Sequence, residues 1–289
     1  MTEHSPSRAW LGRAIIYALL LLMCLYYLLP LFVMVSTSLK SLDEIRSGNL
    51  LSLPGEVNFD AWGKAWSGAC TGAICDGLQG FFWNSIRFVV PSVLITTAVG
   101  AFNGYVLAMW RFRGSDLMFS ALLVGCFIPF QVILLPMART LGMLGIGNST
   151  TGLVLVHVVY GLAFTTLFFR NYYVTVPIDL VKAAKIDGAG FFRIFWRIIL
   201  PLSLPIIVVS IIWQFTQIWN DFLFGVVFSS GDQQPITVAL NNLVNTSTGV
   251  KEYNVDMAAA IITALPTLFV YAIAGKYFVR GLTAGAVKG

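Results

Sequence analysis

The sequence predicts an all-α polytopic membrane protein with six transmembrane helices. Of its 289 residues 57% are hydrophobic and 11% are charged, which is far more apolar than a soluble domain of this length. Apolar runs of roughly 20 residues, long enough to span a bilayer, alternate with short polar loops. Because the basic residues lie in those loops, the net charge of +5 does not indicate nucleic-acid binding.

The first three predicted spans cover residues 14–35, 86–109 and 117–137. The first is interpreted as a retained span, since it is longer than the apolar core of a signal peptide and no small-residue cleavage site follows. An external loop at 36–83 separates it from the second span, with one short helix expected around 59–66. In the second span, the spacing of Gly100 and Gly104 favours close helix packing.

The third span contains two prolines, Pro129 and Pro136, with Gln131 between them. A helix interrupted in this way either bends or exposes backbone carbonyls toward a cavity. Interrupted helices often line transport routes, which makes Gln131 a candidate pathway residue. The alternative is a plain structural kink.

The remaining predicted spans cover residues 152–172, 202–228 and 257–277. The fifth contains the polar Asn220 and the ionisable Asp221, and polar or ionisable groups within a span are functional candidates, so both are predicted to line a pathway. Asp221 lies toward the outer end of the span, where a structural hydrogen bond is the alternative role. His157, in the fourth span, is interpreted as a packed or hydrogen-bonded helix residue rather than a ligand.

Cys70 and Cys75 lie in the polar loop after the first span. They are close enough in sequence to form a disulfide if this loop faces an oxidising compartment, although the distance between their Cα atoms decides whether they do. No group of cysteine and histidine residues has the spacing of a metal site, and no metal is expected.

Residues 177–201 form a charged, small-residue segment between two apolar ones. Pro177 and Asp179 suit the first turn of a helix that runs to Ile186, and Gly188 suits the left-handed conformation just past its end. The small side chains would let a partner's backbone approach closely. An ordinary interfacial helix between two spans is the alternative interpretation.

The residue order in this segment resembles the cytoplasmic signature loop of permease subunits of bacterial ABC importers. In that family the loop, here 173–199, forms a coupling helix that sits in a cleft of the ATP-hydrolysing subunit. Lys182 stands where the family usually has Glu. The resemblance implies that the residues contacting the ATPase are Lys182, Ala183, Ala184, Asp187, Gly188 and Ala189.

Two further stretches narrow the resemblance. The C-terminal residues 277–289 and the group at 219–222 are similar to maltose-type sugar permeases, which belong to the carbohydrate-uptake branch. The stretch from Cys70 to Leu78 resembles glucose and mannose importers of Gram-negative bacteria. The resemblance thus implies half of a translocation pathway for a sugar, with glucose or mannose as the suggested substrate.

The resemblance also implies the partners of this chain. These are a second related permease subunit, two copies of an ATP-binding subunit, a periplasmic sugar-binding protein and membrane lipid. ATP and Mg²⁺ are expected in the ATP-binding subunit and no cofactor in this chain, because Gly275-Lys276 is followed by Tyr277 rather than the Ser or Thr of a phosphate-binding loop. The chain itself is therefore not expected to be an enzyme.

Basic residues predict the orientation of the chain in a bacterial inner membrane. With both termini in the cytoplasm, the outside set is only Lys40, Arg46, Lys64, Arg139 and Lys251. The inside set is Arg8, Arg13, Arg111, Arg113, Arg170, Lys182, Lys185, Arg193, Arg197, Lys276, Arg280 and Lys288. A single transmembrane permease domain at 14–280 is then flanked by cytoplasmic tails at 1–13 and 281–289.

An ion-coupled secondary transporter is the alternative function. That class usually has ionisable residues near the membrane midplane for proton or sodium coupling. The predicted spans offer Asp221 and Arg87, both near an outer edge. The distribution of charge therefore favours the ATP-driven importer.

Overall fold

The computed structural model describes residues 6–72, 74–110, 112–245 and 250–286. Within these ranges the regular structure is helical, apart from one isolated bridge between Thr71 and Ile74. Residues 1–5 and 287–289 of the two predicted tails lie outside the described residues. Arg111 and Lys288, both used in predicting the orientation, lie outside them as well.

The chain divides into two compact units. The first comprises residues 1–78 and 242–262, and the second comprises 79–241 and 263–289. The first unit begins with a long apolar helix, α1 (Pro6–Ser38), and continues with α2 (Leu42–Ser47) and α3 (Asp60–Ser67). Helix α3 confirms the short helix expected around 59–66.

The second unit is built on two long helices, α4 (Gln79–Met109) and α7 (Thr150–Val174). They pack against each other at two glycines of α4. A Cβ atom at Gly100 would lie 2.5 Å from the Thr165 Oγ1 atom, and a Cβ atom at Gly104 would lie 2.6 Å from the Phe169 Cβ atom. The close approach predicted from the glycine spacing is confirmed.

The third predicted span is a bent pair of helices, α5 (Ser115–Phe127) and α6 (Phe130–Met143), which meet at 103°. The bend lies at Ile128 and Pro129. Proline has no backbone N–H and pushes the residue before it out of the helical region, and Ile128 has an extended ψ of 120°. The structure thus realises the bend that the sequence predicted.

The segment after α7 starts with four short helical pieces. Helix α8 (Ile178–Ile186) is followed by α9 (Phe191–Ile194), a π-helical turn at Phe195–Ile199 and α10 (Leu200–Leu202). Helix α8 confirms the helix predicted before Gly188.

The fifth predicted span, over 202–228, contains two breaks in the structure. The helical segment Phe191–Leu202 meets α11 (Leu204–Trp219) at 75°, and a second break precedes α12 (Leu223–Phe228). The first break lies between Pro201 and Pro205, and Pro205 cannot donate the hydrogen bond that would continue the helix.

The chain continues with α13 (Ile236–Asn245) and α14 (Tyr253–Ala286). Among the described residues, four helices are long and apolar enough to cross a membrane. They comprise Gly12–Ser38, Gln79–Met109, Thr150–Val174 and Tyr253–Gly275. The count reaches the predicted six when each of the two bent pairs is taken as one span.

Candidate functional site

A cavity of about 440 Å³ lies within the second unit, between α6, α7, α11 and α12. Its volume is in the range of about 300–1,000 Å³ that small-molecule sites occupy. Its lining combines aromatic rings with side-chain amides, two hydroxyl groups, one imidazole and one carboxylate. The lining residues are Phe130, His157, Tyr160, Gly161, Trp213, Gln214, Thr216, Gln217, Ile218, Asn220, Asp221, Phe222, Leu223 and Phe224.

Three aromatic rings from three different helices form one wall of the cavity. The rings of Phe130, Tyr160 and Phe224 meet edge to face, with centroids 5.7 to 6.1 Å apart. Edge-to-face contacts of this kind stabilise packing by about 0.5–1.5 kcal/mol beyond the area buried. The wall therefore joins α6, α7 and α12 into one surface.

Trp213 lines the same cavity from α11. Its ring centroid lies 4.9 Å from that of Phe164 and 5.4 Å from that of Phe168, both on α7. Neither of these two phenylalanines lines the cavity. They contact the indole on the side away from the cavity. The orientation of the indole is therefore set by α7, and part of the indole surface stays accessible.

The polar end of the cavity is the break between α11 and α12, at residues 220–222. The Asp221 carboxylate accepts hydrogen bonds from the Phe224 amide at 3.4 Å and from the Gly225 amide at 3.2 Å, in the first turn of α12. A carboxylate stabilises the unpaired amides at a helix N-terminus. Asn220 donates from its Nδ2 atom to the Thr216 carbonyl oxygen at 2.9 Å.

His157 lies beside Asp221 at this end and is 5% exposed. Its ring stacks on Phe88 with 5.6 Å between centroids and meets Phe224 edge to face at 5.4 Å. The buried Nε2 atom has no hydrogen-bond partner and lies 3.9 Å from the Asp221 Oδ2 atom. An unsatisfied buried nitrogen is costly, which makes this atom unusual within the fold.

Two of the three predicted pathway residues, Asn220 and Asp221, line this cavity. Gln131 is exposed and does not line it, although its neighbour Phe130 does. The sequence analysis did not select His157, Tyr160 or Trp213. A signal was available for the first two, since residues three apart on α7 point to the same side of a helix.

The segment from α8 to α9 is the second candidate site. Its inner face is buried: Val181 and Ala184 pack in a core cluster that includes Tyr105 of α4, Phe169 of α7 and Phe195 of the π-helical turn. The Tyr105 hydroxyl also donates to the Phe191 carbonyl oxygen at 3.1 Å, so α9 is fixed to α4 as well. Helix α8 is therefore held firmly from one side.

The opposite side of this segment is exposed. Of the six residues predicted to contact an ATPase, Lys182, Ala183, Asp187 and Gly188 are exposed, Ala189 is half-buried and Ala184 is buried. Gly188 has a φ of +75°, as predicted for the residue past the helix end, and no atom within 4 Å of a Cβ built there. Lys182 donates to the Asp179 carboxylate at 2.9 Å within the same helix.

In the first unit, Cys70 and Cys75 form a disulfide. The bonded pair lies in the turn after α3, where the Leu78 amide also donates to the Ala65 carbonyl oxygen at 3.0 Å. Lys64 of α3 forms an ion pair with Glu252, and Lys251 forms one with Asp256 at 2.8 Å. Across the described residues, no three His, Cys, Asp or Glu side chains come together as metal ligands would.

Broken membrane-spanning helices around a polar and aromatic cavity define a membrane transport protein. The family model described as the inner membrane component of binding-protein-dependent transport systems matches residues 97–284. The chain belongs to this family, whose members are components of membrane transport systems rather than enzymes, and it is a multi-pass inner-membrane permease of an ABC importer.

Related sequences match along nearly the whole chain. A Pyrococcus horikoshii protein named as a probable ABC transporter permease is 38% identical over 279 residues, covering 96% of this chain and 98% of that protein. The xylose/arabinose import permease XacI of Haloferax volcanii is 30% identical, covering 94% and 92%. The arabinooligosaccharides transport system permease AraQ of Bacillus subtilis is 30% identical over the full length of both.

The fold is also similar to a solved structure. A chain from a bacterial ABC transporter involved in the import of the acidic polysaccharide alginate superposes with a TM-score of 0.81 at 21% sequence identity. The match covers 96% of this chain and 100% of the other. The similarity establishes that both chains share one fold.

Proposed function

We propose that this chain forms half of the translocation pathway of an ATP-driven sugar importer, next to a second, related permease subunit. The proposal is supported by relatives whose names give sugars as their substrates, including xylose, arabinose and arabinooligosaccharides. It is supported further by the family description, which specifies dependence on a binding protein. Sugar delivery by a periplasmic binding protein is part of the same proposal.

The observation that carries the proposal is the exposed turn at the end of α8. A short helix with a buried inner face presents Ala183, Asp187 and Gly188 on its exposed side, and Gly188, which has a positive φ, adds no side chain to the turn. A partner's backbone can approach such a surface closely. We propose that two ATP-binding subunits form that partner and that one of them holds α8 in a cleft.

In the proposed mechanism, ATP binding closes the two ATP-binding subunits and moves the docked α8 with them. Because α8 and α9 are fixed to α4 and α7, the movement passes to the spans that surround the cavity. ATP shifts the equilibrium between inward-open and outward-open states only if α8 stays bound and its interactions differ in free energy between them. Hydrolysis then reverses the movement.

The proposed orientation puts both termini and α8 in the cytoplasm. It leaves the segment with α2, α3 and the Cys70–Cys75 disulfide on the outer side, where a disulfide persists. We propose that the binding protein docks on that segment. Glucose and mannose are the first sugars to test, because the stretch around Cys70 and Cys75 resembles importers of these sugars.

Co-purification tests the proposal directly. The tagged chain is solubilised from its native membrane in mild detergent, and the proteins that come with it are identified. We expect a related permease and an ATP-binding subunit with the wild type, and loss of the ATP-binding subunit from a chain that carries Asp187→Arg and Gly188→Arg. Gly188→Asn is the matched control, because Asn tolerates the left-handed conformation and its short side chain does not block the approach of a partner's backbone.

Uptake by proteoliposomes separates this proposal from a secondary transporter. The importer requires ATP inside the vesicle, the binding protein and all subunits together. A wild-type chain that purifies alone and moves sugar without ATP would overturn the proposal.

A further inference from the structure

We propose that the cavity between α7, α11 and α12 binds the transported sugar directly, and that it accepts neutral rather than acidic sugars. In this arrangement Asp221 and His157 hold one hydroxyl group while the aromatic walls contact the carbon–hydrogen faces of the ring. The inference rests on the proposed function and adds to it a binding site in this subunit and a class of substrate.

The first step is the unpaired nitrogen of His157. Its Nε2 atom is buried without a hydrogen-bond partner, and the nearest acidic oxygen, Oδ2 of Asp221, lies 3.9 Å away. That distance is too long for a hydrogen bond. The distance is short enough for one oxygen atom to lie about 2.8 Å from both Nε2 and Oδ2 and to form a hydrogen bond with each of them.

A sugar hydroxyl suits this gap because it both donates and accepts hydrogen bonds. It donates its proton to the Asp221 carboxylate and accepts a hydrogen bond from the Nε2–H group of His157. Asp221 is already oriented by the amides of Phe224 and Gly225, and the imidazole is held between Phe88 and Phe224. Both groups are thus fixed before the substrate enters, which lowers the entropy lost on binding.

The second step is the aromatic lining. A pyranose has hydroxyl groups around its rim and carbon–hydrogen groups on its faces, so it needs polar partners at one end and apolar surfaces above or below. The cavity provides this pattern: Asn220 and Asp221 lie at one end, and the rings of Tyr160, Trp213 and Phe224 lie along the sides. Sites for small molecules commonly combine an apolar lining with a few fixed polar groups.

The third step is the charge of the lining. None of the described residues around the cavity is Lys or Arg, and the one charged group is Asp221. A uronic acid would bring its carboxylate near that of Asp221 without a cation to compensate, and like charges close together in a partly buried site repel strongly. The cavity therefore discriminates against acidic sugars.

The test uses the complete transporter, which contains this chain, its partner permease and its ATP-binding subunits, in lipid nanodiscs without the binding protein. Equilibrium binding of labelled glucose, mannose, xylose and glucuronate is measured, followed by ATP-driven uptake in proteoliposomes with the binding protein. We expect at least one neutral sugar to bind and glucuronate to bind at least tenfold more weakly.

Three independent substitutions probe the site. Trp213→Leu is expected to weaken neutral-sugar binding at least fivefold, and Phe168→Leu is its matched control, because Phe168 contacts Trp213 without lining the cavity. Asp221→Asn is expected to reduce the ratio of the Kd for glucuronate to the Kd for the neutral sugar at least threefold. His157→Gln should weaken binding of the neutral sugar and leave the Tm of the transporter nearly unchanged.

The outcomes separate this inference from the proposed function. ATP-driven uptake of a sugar by the wild type, combined with unchanged binding and selectivity in all three cavity variants, overturns the inference alone and leaves a bridging water as the partner of His157. Lipid that co-purifies with the wild type and is lost from Trp213→Leu, with no sugar bound to either, also overturns it. No ATP-driven uptake of any sugar by the wild type overturns the proposed function.

Discussion

The Nζ atom of Lys185 lies 3.9 Å from the centre of the Trp110 ring. Lys185 is in the last turn of α8, and Trp110 directly follows α4. This contact holds the exposed end of α8 above the end of a long membrane-spanning helix. It complements the buried contacts of Val181 and Ala184 on the inner face of α8.

Replacing Trp110 with Leu is expected to loosen α8 without unfolding the protein. A cation–π contact at an exposed site contributes about 0.5–1 kcal/mol, so amide exchange in residues 178–188 should increase about two- to fivefold. Trp110→Phe keeps an aromatic face and is the control. Equal exchange in the wild type and in the Leu variant would show that the contact does not hold the helix.

Adding a methyl group at Gly104 is expected to destabilise the packing of α4 against α7. A Cβ atom there lies 2.6 Å from the Phe169 Cβ atom, and overpacking a core of this kind costs about 1–3 kcal/mol. Gly142→Ala in α6 is the control, since nothing lies within 4 Å of a Cβ atom at that position. Thermal unfolding in detergent should show a lower Tm for Gly104→Ala and an unchanged or higher Tm for Gly142→Ala.

The Cys70–Cys75 disulfide provides a chemical test of the local structure. In protein isolated without reductant, an alkylating reagent applied to the unfolded chain should modify Cys24 and Cys126 only. After reduction all four cysteines should react. Replacing both bonded residues with Ser should lower local stability after α3 by about 2 kcal/mol, because the loop that the bond closes is short. Modification of Cys70 or Cys75 before reduction would contradict the pairing.

The two ion pairs of the first unit should differ in strength. Lys64 and Glu252 are both exposed, so Lys64→Gln is expected to cost less than about 1 kcal/mol and to lose its effect in high salt. Asp256 is buried and accepts from Lys251 at 2.8 Å, so Asp256→Asn is expected to cost about 1–3 kcal/mol. Chemical unfolding at low and high salt distinguishes the two, and equal effects would contradict this ranking.

Hydropathy predicted most of the fold because the membrane limits the structures that can span it. The end of α4, the position of α7, the bend at Pro129 and the helix that ends before Gly188 all have local causes in the sequence. Helix α4 begins at Gln79, before the predicted start at residue 86. The break at residues 220–222 contains no proline or glycine that would have predicted it from the sequence. It depends on the Asp221 carboxylate, which stabilises the start of α12.

The candidate cavity was less predictable than the fold. Asn220 and Asp221 were identified because polar residues in an apolar segment are conspicuous. The importance of His157 depends on how α7 packs beside the end of α11, which brings its Nε2 atom to 3.9 Å from Asp221. Helix packing of this kind is set by contacts between residues far apart in sequence, and no short motif encodes it.

The π-helical turn at Phe195–Ile199 has a consequence for the spacing of residues along the chain. Such a turn holds one residue more than an α-helical path needs. Deleting one residue there would convert the π-helical turn into an α-helical one, and the helices on its two sides would keep nearly the same rotation about their axis. The turn thus stores one extra residue between α9 and α10, so this short stretch should tolerate the deletion of one residue better than the insertion of another.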